Sequence, residues 1–215
     1  MQNYWPTGTI YGTLLNFSAE FDSLRAQMDA PPYKAPPVAP VLYIKTANTW
    51  SASGATVTLP GGATHAEIGA TVGMVMGDAG TVAGFALFND FSLPHSSFFR
   101  PPVKFKCPDG FLGVGAQMLA PEQAGDPLAF VLEVRVNEAL VQTVYFANMR
   151  CSAQQLLAEL SQFMTLRKGD VLLLGCDGAP DGKRPLAVAG DRITISATGF
   201  GTLVNTIATS IQGTP

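Results

Sequence analysis

Seven short runs of apolar or alternating residues constrain the fold of this 215-residue chain more than any other feature. Each run has the length of a β-strand and is bounded by Gly, Pro or Asp, and several are rich in Val and Ile. The runs cover residues 41–45, 55–59, 68–76, 83–89, 128–137, 171–175 and 193–198. This pattern predicts a strand-rich α+β protein.

Two segments have helical periodicity instead. Ser152 can cap a main amphipathic helix that extends to residue 164 and packs on the sheets. Its apolar face would consist of Leu156, Leu157, Leu160, Phe163 and Met164. A second, weaker helix is predicted from residue 18 to residue 28.

The composition supports a strand-rich fold and excludes several partners. Charged residues make up only 13% of the chain, whereas 22 Gly and 16 Pro favour turns. The net charge is −3 and no run of Lys or Arg could follow a phosphate backbone, so we expect no nucleic-acid partner. No apolar stretch approaches the roughly 20 residues of a membrane helix, so we expect a cytoplasmic protein with no membrane partner.

The Pro-rich stretch at residues 31–37 is interpreted as an internal loop, because the segment before it is too short to be a domain. We therefore expect a single domain over residues 1–215. The three cysteines, Cys107, Cys151 and Cys176, form no CxxC pair, which favours free thiols over disulfides or a zinc site.

Six short phrases, read in order, resemble the fumarylacetoacetate hydrolase family. They are YKAPP with YIK and NT (residues 33–49), AGFALFND (83–90), FRP (99–101), KCPDGF (106–111), FMTL with GD (163–170) and GD (190–191). The resemblance covers about residues 9–207 and implies a mixed β roll with few helices. Within the family, the phrases are most similar to one half of the two-domain isomerase/decarboxylases of 4-hydroxyphenylacetate catabolism, namely the N-terminal half or first subunit.

The resemblance implies that Mg²⁺, or Mn²⁺, binds a keto or enol di- or tricarboxylate. The family motif is Glu-x-Glu on a strand plus a later Asp, whose hard oxygens suit such ions. Here Gly69 and Thr71 occupy the two Glu positions and Asp90 matches the Asp, so a metal site would be weakened. Glu67, with His65, is either a displaced ligand, since Gly69 would leave space, or part of an exposed strand end.

The resemblance also implies catalytic and substrate-binding residues. Lys106 matches a lysine that meets the substrate, although it could be a surface lysine on a strand beside Lys104. Glu20 follows Asn16 and Phe17 at the offset of a catalytic acid or base, although a solvated helix residue is the alternative. Cys176 replaces a substrate-binding threonine. Lys45 and Arg100 would each bind a second substrate carboxylate or pair with an Asp.

Two functions remain open at this point. In one, the chain is a subunit of a 2-hydroxyhepta-2,4-diene-1,7-dioate isomerase and 5-oxopent-3-ene-1,2,5-tricarboxylate decarboxylase that turns over with metal and any partner subunit. In the other, it is a degenerate, non-catalytic copy that supports a homologous metal-binding chain. Both predict a homo- or hetero-oligomer. Other activities of the family, such as acylpyruvate hydrolysis, would require the missing Glu pair.

Overall fold

The computed structural model describes residues 2–31, 34–95, 102–179 and 181–210. Fifteen strands lie in these ranges: β1 (Gln2–Asn3), β2 (Ile10–Leu14), β3 (Val41–Lys45), β4 (Trp50–Ala52), β5 (Thr56–Leu59), β6 (His65–Glu67), β7 (Ala70–Met76), β8 (Val82–Asp90), β9 (Leu112–Leu119), β10 (Val131–Val136), β11 (Ala139–Tyr145), β12 (Val171–Leu173), β13 (Leu186–Val188), β14 (Arg192–Ala197) and β15 (Thr202–Thr209). The α-helices are α1 (Ser18–Met28), α2 (Pro102–Lys106), α3 (Pro121–Ala124) and α4 (Ala153–Ser161). None of the helices in these ranges is long and apolar enough to cross a membrane.

The strands form one large and two smaller sheets. The largest has the order β1-β9-β8-β7-β12-β2-β3, and β4 also pairs with β9. The second sheet has the order β11-β10-β14-β15-β5, and β6 pairs with β13. Because β12 runs parallel to β2 and β4 runs parallel to β9 among antiparallel neighbours, the large sheet is mixed. The predicted strand-rich α+β class is therefore confirmed.

The large sheet is covered on both faces, and β7 is accordingly buried at all seven positions. Val72 and Met74 pack in the main cluster with residues of the second sheet and with Leu156 of α4. On the opposite face, Val75 and Phe88 belong to a smaller cluster. Asp90 lies two residues after Phe88, so strand alternation places it on this second face.

Several predicted elements are confirmed at their exact bounds, and others differ. Residues 41–45 form β3 and residues 18–28 form α1, as predicted. Ser152 caps α4, because its hydroxyl accepts a hydrogen bond from the Gln155 N–H at 3.3 Å. The helix ends at Ser161 instead of residue 164, and Phe163 is 70% exposed. The predicted strand at 68–76 begins only at Ala70.

Candidate functional site

The candidate site is a buried charged cluster around Asp90, the last residue of β8. Its Oδ1 lies 2.9 Å from Lys45 Nζ, and its Oδ2 lies 2.7 Å from Lys106 Nζ. The Tyr43 hydroxyl donates a third contact, to Oδ2. One carboxylate therefore faces two ammonium groups, with no solvent exposure at Asp90.

Lys45 holds three backbone segments together. Its ammonium group donates to the carbonyl oxygens of Phe91 at 3.0 Å and Phe111 at 2.8 Å, and also to that of Lys106. An ammonium group has three N–H donors, so all three are used by backbone. This explains why Asp90 Oδ1 accepts no hydrogen bond although Lys45 Nζ lies beside it.

Tyr43 reaches Asp90 by lying across β2. Gly12 is its cross-strand partner, and a Cβ at residue 12 would overlap the Tyr43 ring. Glycine at this position therefore lets the ring approach the backbone closely enough to place its hydroxyl on Asp90.

Lys106 is fixed from two sides. Its Nζ donates to Asp90 and lies 4.7 Å from the centroid of the Tyr43 ring, a cation–π distance. Lys106 does not lie on a strand, as the surface-lysine alternative assumed, because this residue ends α2. The alternative of a surface lysine was also wrong, because its side chain is only 3% exposed.

The charges of the cluster are fixed near neutral pH. Burial would raise the pKa of Asp90, but the ammonium groups of Lys106 and Lys45 outweigh it and hold this pKa well below its usual range. Burial lowers the pKa of Lys45 to about 8. Burial, together with the charge of Asp90, raises the pKa of Tyr43 well above its usual range. Asp90 is therefore an anion, and Tyr43 is a neutral donor to it.

Gly69 and Thr71, the two positions predicted to correspond to the family glutamates, are both closed. Gly69 precedes β7, and its N–H donates to Asn89 Oδ1 at 3.1 Å. A Cβ at residue 69 would overlap the Asp90 carbonyl oxygen and lie 3.1 Å from Cys176 Sγ, so the expected space beside Gly69 is absent. Thr71 is fully buried and donates its hydroxyl to the Gly175 carbonyl.

The described residues do not fit a divalent ion. Across these ranges, His, Cys, Asp and Glu form no group of three or more that could hold a metal. The Asp90 carboxylate already faces two ammonium groups and a hydroxyl. Glu67 lies on β6, where its backbone pairs with Leu186 and Ser92 instead of extending the strand that contains Thr71. A metal would have to displace the bound ammonium groups.

Glu20 belongs to a second buried ion pair, so the expectation of a solvated residue was wrong. Its Oε1 accepts a hydrogen bond from Arg184 Nη2 at 2.9 Å, and its Oε2 accepts one from the Leu15 N–H at 2.8 Å. The Glu20 and Arg184 side chains are 11% and 9% exposed. Leu15 has a φ of 60°, and this hydrogen bond helps to hold its left-handed backbone.

Arg184 joins the two clusters and was not found by sequence reasoning. Interactions with Cys176 in its ionised form, with Glu20 and with Asp90 outweigh desolvation and raise the pKa of Arg184. Arg184 and Glu20 are 164 residues apart, and no local pattern in the sequence marks the pair.

Cys176 lies between these charged groups, 2% exposed and 3.8 Å from Asp90 Oδ2. Burial is the main cause that raises the pKa of the Cys176 thiol to about 12. It is therefore a neutral thiol and a weak donor. The fold brings Cys176, Asp90, Lys45 and Lys106 together, whereas Arg100 lies outside the described residues.

Comparisons with known proteins agree with this fold. The model of the fumarylacetoacetate (FAA) hydrolase C-terminal family matches residues 9–208. The 4-hydroxyphenylacetate degradation bifunctional isomerase/decarboxylase of Salmonella dublin is 36% identical over 210 residues, which cover 93% of this chain and 47% of that protein. The structure of fumarylpyruvate hydrolase from Pseudomonas aeruginosa in complex with Mn²⁺ and pyruvate matches with a TM-score of 0.75 at 19% identity, covering 98% of this chain and 93% of that one. A 2-hydroxyhepta-2,4-diene-1,7-dioate isomerase from Mycobacterium marinum matches equally well, at 0.75 and 19%, covering 98% and 78%.

The mixed sheets of this chain form the same fold as these solved structures. The chain belongs to the fumarylacetoacetate hydrolase family. It spans about half the length of the isomerase/decarboxylases that it matches. The similar fumarylpyruvate hydrolase was solved with Mn²⁺, whereas the described residues of this chain form no group of three or more His, Cys, Asp or Glu that could hold a metal.

Proposed function

We propose that this chain is one half of a 2-hydroxyhepta-2,4-diene-1,7-dioate isomerase and 5-oxopent-3-ene-1,2,5-tricarboxylate decarboxylase of 4-hydroxyphenylacetate catabolism, and that it is the half without the metal. Three similar isomerase/decarboxylases at 35–36% identity support the pathway. Each is about twice the length that this chain matches, which supports a homologous second half, fused or separate.

The closed position at Gly69 carries the proposal. A divalent ion in this family would stabilise charge on the enol oxygen of the substrate. A Cβ at residue 69 would overlap the Asp90 backbone, so a glutamate could occupy this position only if the backbone shifted. The metal-dependent step therefore takes place in the homologous domain or subunit.

In this proposal, the charged residues stabilise the fold of the half instead of contacting substrate. Lys45 uses its three donors on backbone carbonyls. Glu20 uses both oxygens on Arg184 and Leu15. Lys106 neutralises Asp90. Substrate binding by Arg100 stays a prediction.

Calorimetry with Mg²⁺ and with Mn²⁺ tests the metal claim. We expect no saturable binding at millimolar metal, whereas a family member with the Glu-x-Glu pair should bind under the same conditions. We also expect the chain alone to turn over neither substrate. Saturable binding that disappears in Asp90→Ala, or turnover by the chain alone, would show that it is a complete enzyme.

Co-expression tests the assembly. A tagged copy of this chain should purify with a homologous chain from the same genome that carries the glutamate pair, and the complex should decarboxylate. Replacing the two glutamates of that partner by Gln should abolish turnover without dissociating the complex. Full activity of the partner alone, with no complex formed, would contradict the assembly.

A further inference from the structure

A cavity lies on the side of α2 that faces away from Asp90. It has a volume of about 620 Å³ and is lined by residues 60–65, 93–94, 103–105 and 107–108. Val103 of α2 lines it and is 66% exposed, whereas Lys106 is 3% exposed and points to Asp90. The cavity is therefore separate from the Asp90 cluster, although the two share one short helix as a wall.

The wall of this cavity is mostly apolar. Three prolines, Pro60, Pro94 and Pro108, line it together with Leu93 and Phe105. The Phe105 ring is stacked on His95 at 4.4 Å with an interplanar angle of 3°, and its carbonyl accepts a hydrogen bond from the Leu93 N–H at 2.8 Å. Flat apolar surfaces made of proline and aromatic rings suit a ring-shaped ligand.

The polar lining favours an anion. Lys104 and His65 both line the cavity, and none of its described lining residues is Asp or Glu. This is notable in a chain with 16 acidic and 13 basic residues. The Lys104 ammonium lies 5.9 Å from the centroid of the Phe105 ring, so the positive charge and the aromatic wall are adjacent.

We propose that this cavity binds a small carboxylate with an aromatic body, whose carboxylate faces Lys104 and whose ring packs on Phe105 and the prolines. Its volume lies within the range of about 300–1,000 Å³ that is typical of small-molecule sites. The proposal goes beyond the proposed function and does not depend on it, because it uses no residue of the Asp90 cluster.

Calorimetry with phenylacetate, in EDTA, tests the ligand class. We expect saturable binding of one equivalent, at least about fivefold tighter than that of 2-phenylethanol, which lacks the charge, and of hexanoate, which lacks the ring. The proposal would be overturned if millimolar phenylacetate, in 10-fold excess over the protein, showed no saturable binding. Equal binding of all three compounds would also overturn it.

Variants of Gly61 test the location. A Cβ at Gly61 has no heavy atom within 4 Å, and its backbone is not left-handed, so a large side chain can enter the cavity without a backbone clash. Gly61→Trp should weaken phenylacetate binding at least about tenfold while the melting temperature stays unchanged, whereas Gly61→Ala should bind like the wild type. Wild-type affinity in Gly61→Trp would place the ligand elsewhere and refute the site.

Charge and thiol reporters complete the test. Lys104→Gln should weaken binding about fivefold. Lys168→Gln is the matched control, because Lys168 is 70% exposed, pairs with Asp78 and does not line the cavity. Phenylacetate should also slow alkylation of Cys107, which lines the cavity, but not of Cys151. Equal effects of both lysine variants, or equal protection of both thiols, would contradict the binding mode.

Discussion

Replacing Asp90 by Asn removes a negative charge between two buried ammonium groups while keeping nearly the same shape. The Asp90 side chain is 0% exposed, and those of Lys45 and Lys106 are 0% and 3% exposed. Breaking a buried ion pair by removing one partner costs about 3–5 kcal/mol. Because a domain is stabilised by only about 5–15 kcal/mol, we expect Asp90→Asn to lose a large part of the free energy of unfolding.

Urea denaturation followed by tryptophan fluorescence measures this loss. Two further variants serve as controls. Asp78→Asn removes an exposed ion pair, in which Asp78 lies 2.8 Å from Lys168 and has a side chain that is 80% exposed. This change should lower the free energy of unfolding by at most about 1 kcal/mol. The double variant Asp90→Asn, Lys106→Met should lose less free energy of unfolding than the sum of the two single variants, because it no longer contains the unpaired ammonium group of Lys106. A loss below about 1 kcal/mol in Asp90→Asn would refute the role of Asp90 as counter-ion and leave it free for a metal.

Three other outcomes follow from the same geometry. Gly69→Ala should lower the free energy of unfolding by at least about 1–3 kcal/mol, because its Cβ overlaps the Asp90 carbonyl; an unchanged urea midpoint would contradict this. Glu20→Gln should cost about 3 kcal/mol because it leaves Arg184 unpaired, and a wild-type melting curve would argue for a solvated Glu20. Cys176 should resist Ellman's reagent in the native protein at pH 8 and react after unfolding, since burial raises its pKa to about 12; rapid native labelling would show an open site.

Local patterns in the sequence predicted the elements whose reasons are local. The α1 helix and the β3 strand occur at their predicted bounds, and Ser152 caps α4. The β9 strand was not predicted, because it contains Gly113 and Gly115. A Cβ at either glycine would press on Asn205 or on the Leu87 backbone, which are contacts from distant segments. The strand is therefore defined by close approach of its neighbours and not by its own propensity.

The sequence singled out four residues that the fold brings together, but it did not predict their arrangement. Asp90, Lys106, Lys45 and Cys176 were all singled out from the sequence, and the fold brings them together. Their hydrogen-bond partners were not predictable, because Lys45 binds carbonyls up to 66 residues away. Arg184 was missed for the same reason, since only the tertiary fold places it against Glu20.

The presence of Asp90 by itself says little about metal binding. Two buried ammonium groups require a counter-ion at this position whether or not a divalent ion is present, since either lysine would otherwise be a desolvated, uncompensated charge. Gly69 is the informative position, because a ligand side chain there requires space that the Asp90 backbone and Cys176 fill in this chain. Thr71 supports the same conclusion, as its hydroxyl is committed to the Gly175 carbonyl. In this chain, the backbone beside Gly69 and the committed hydroxyl of Thr71 therefore leave no room for carboxylate ligands at these two positions, and Asp90 is the counter-ion of Lys45 and Lys106.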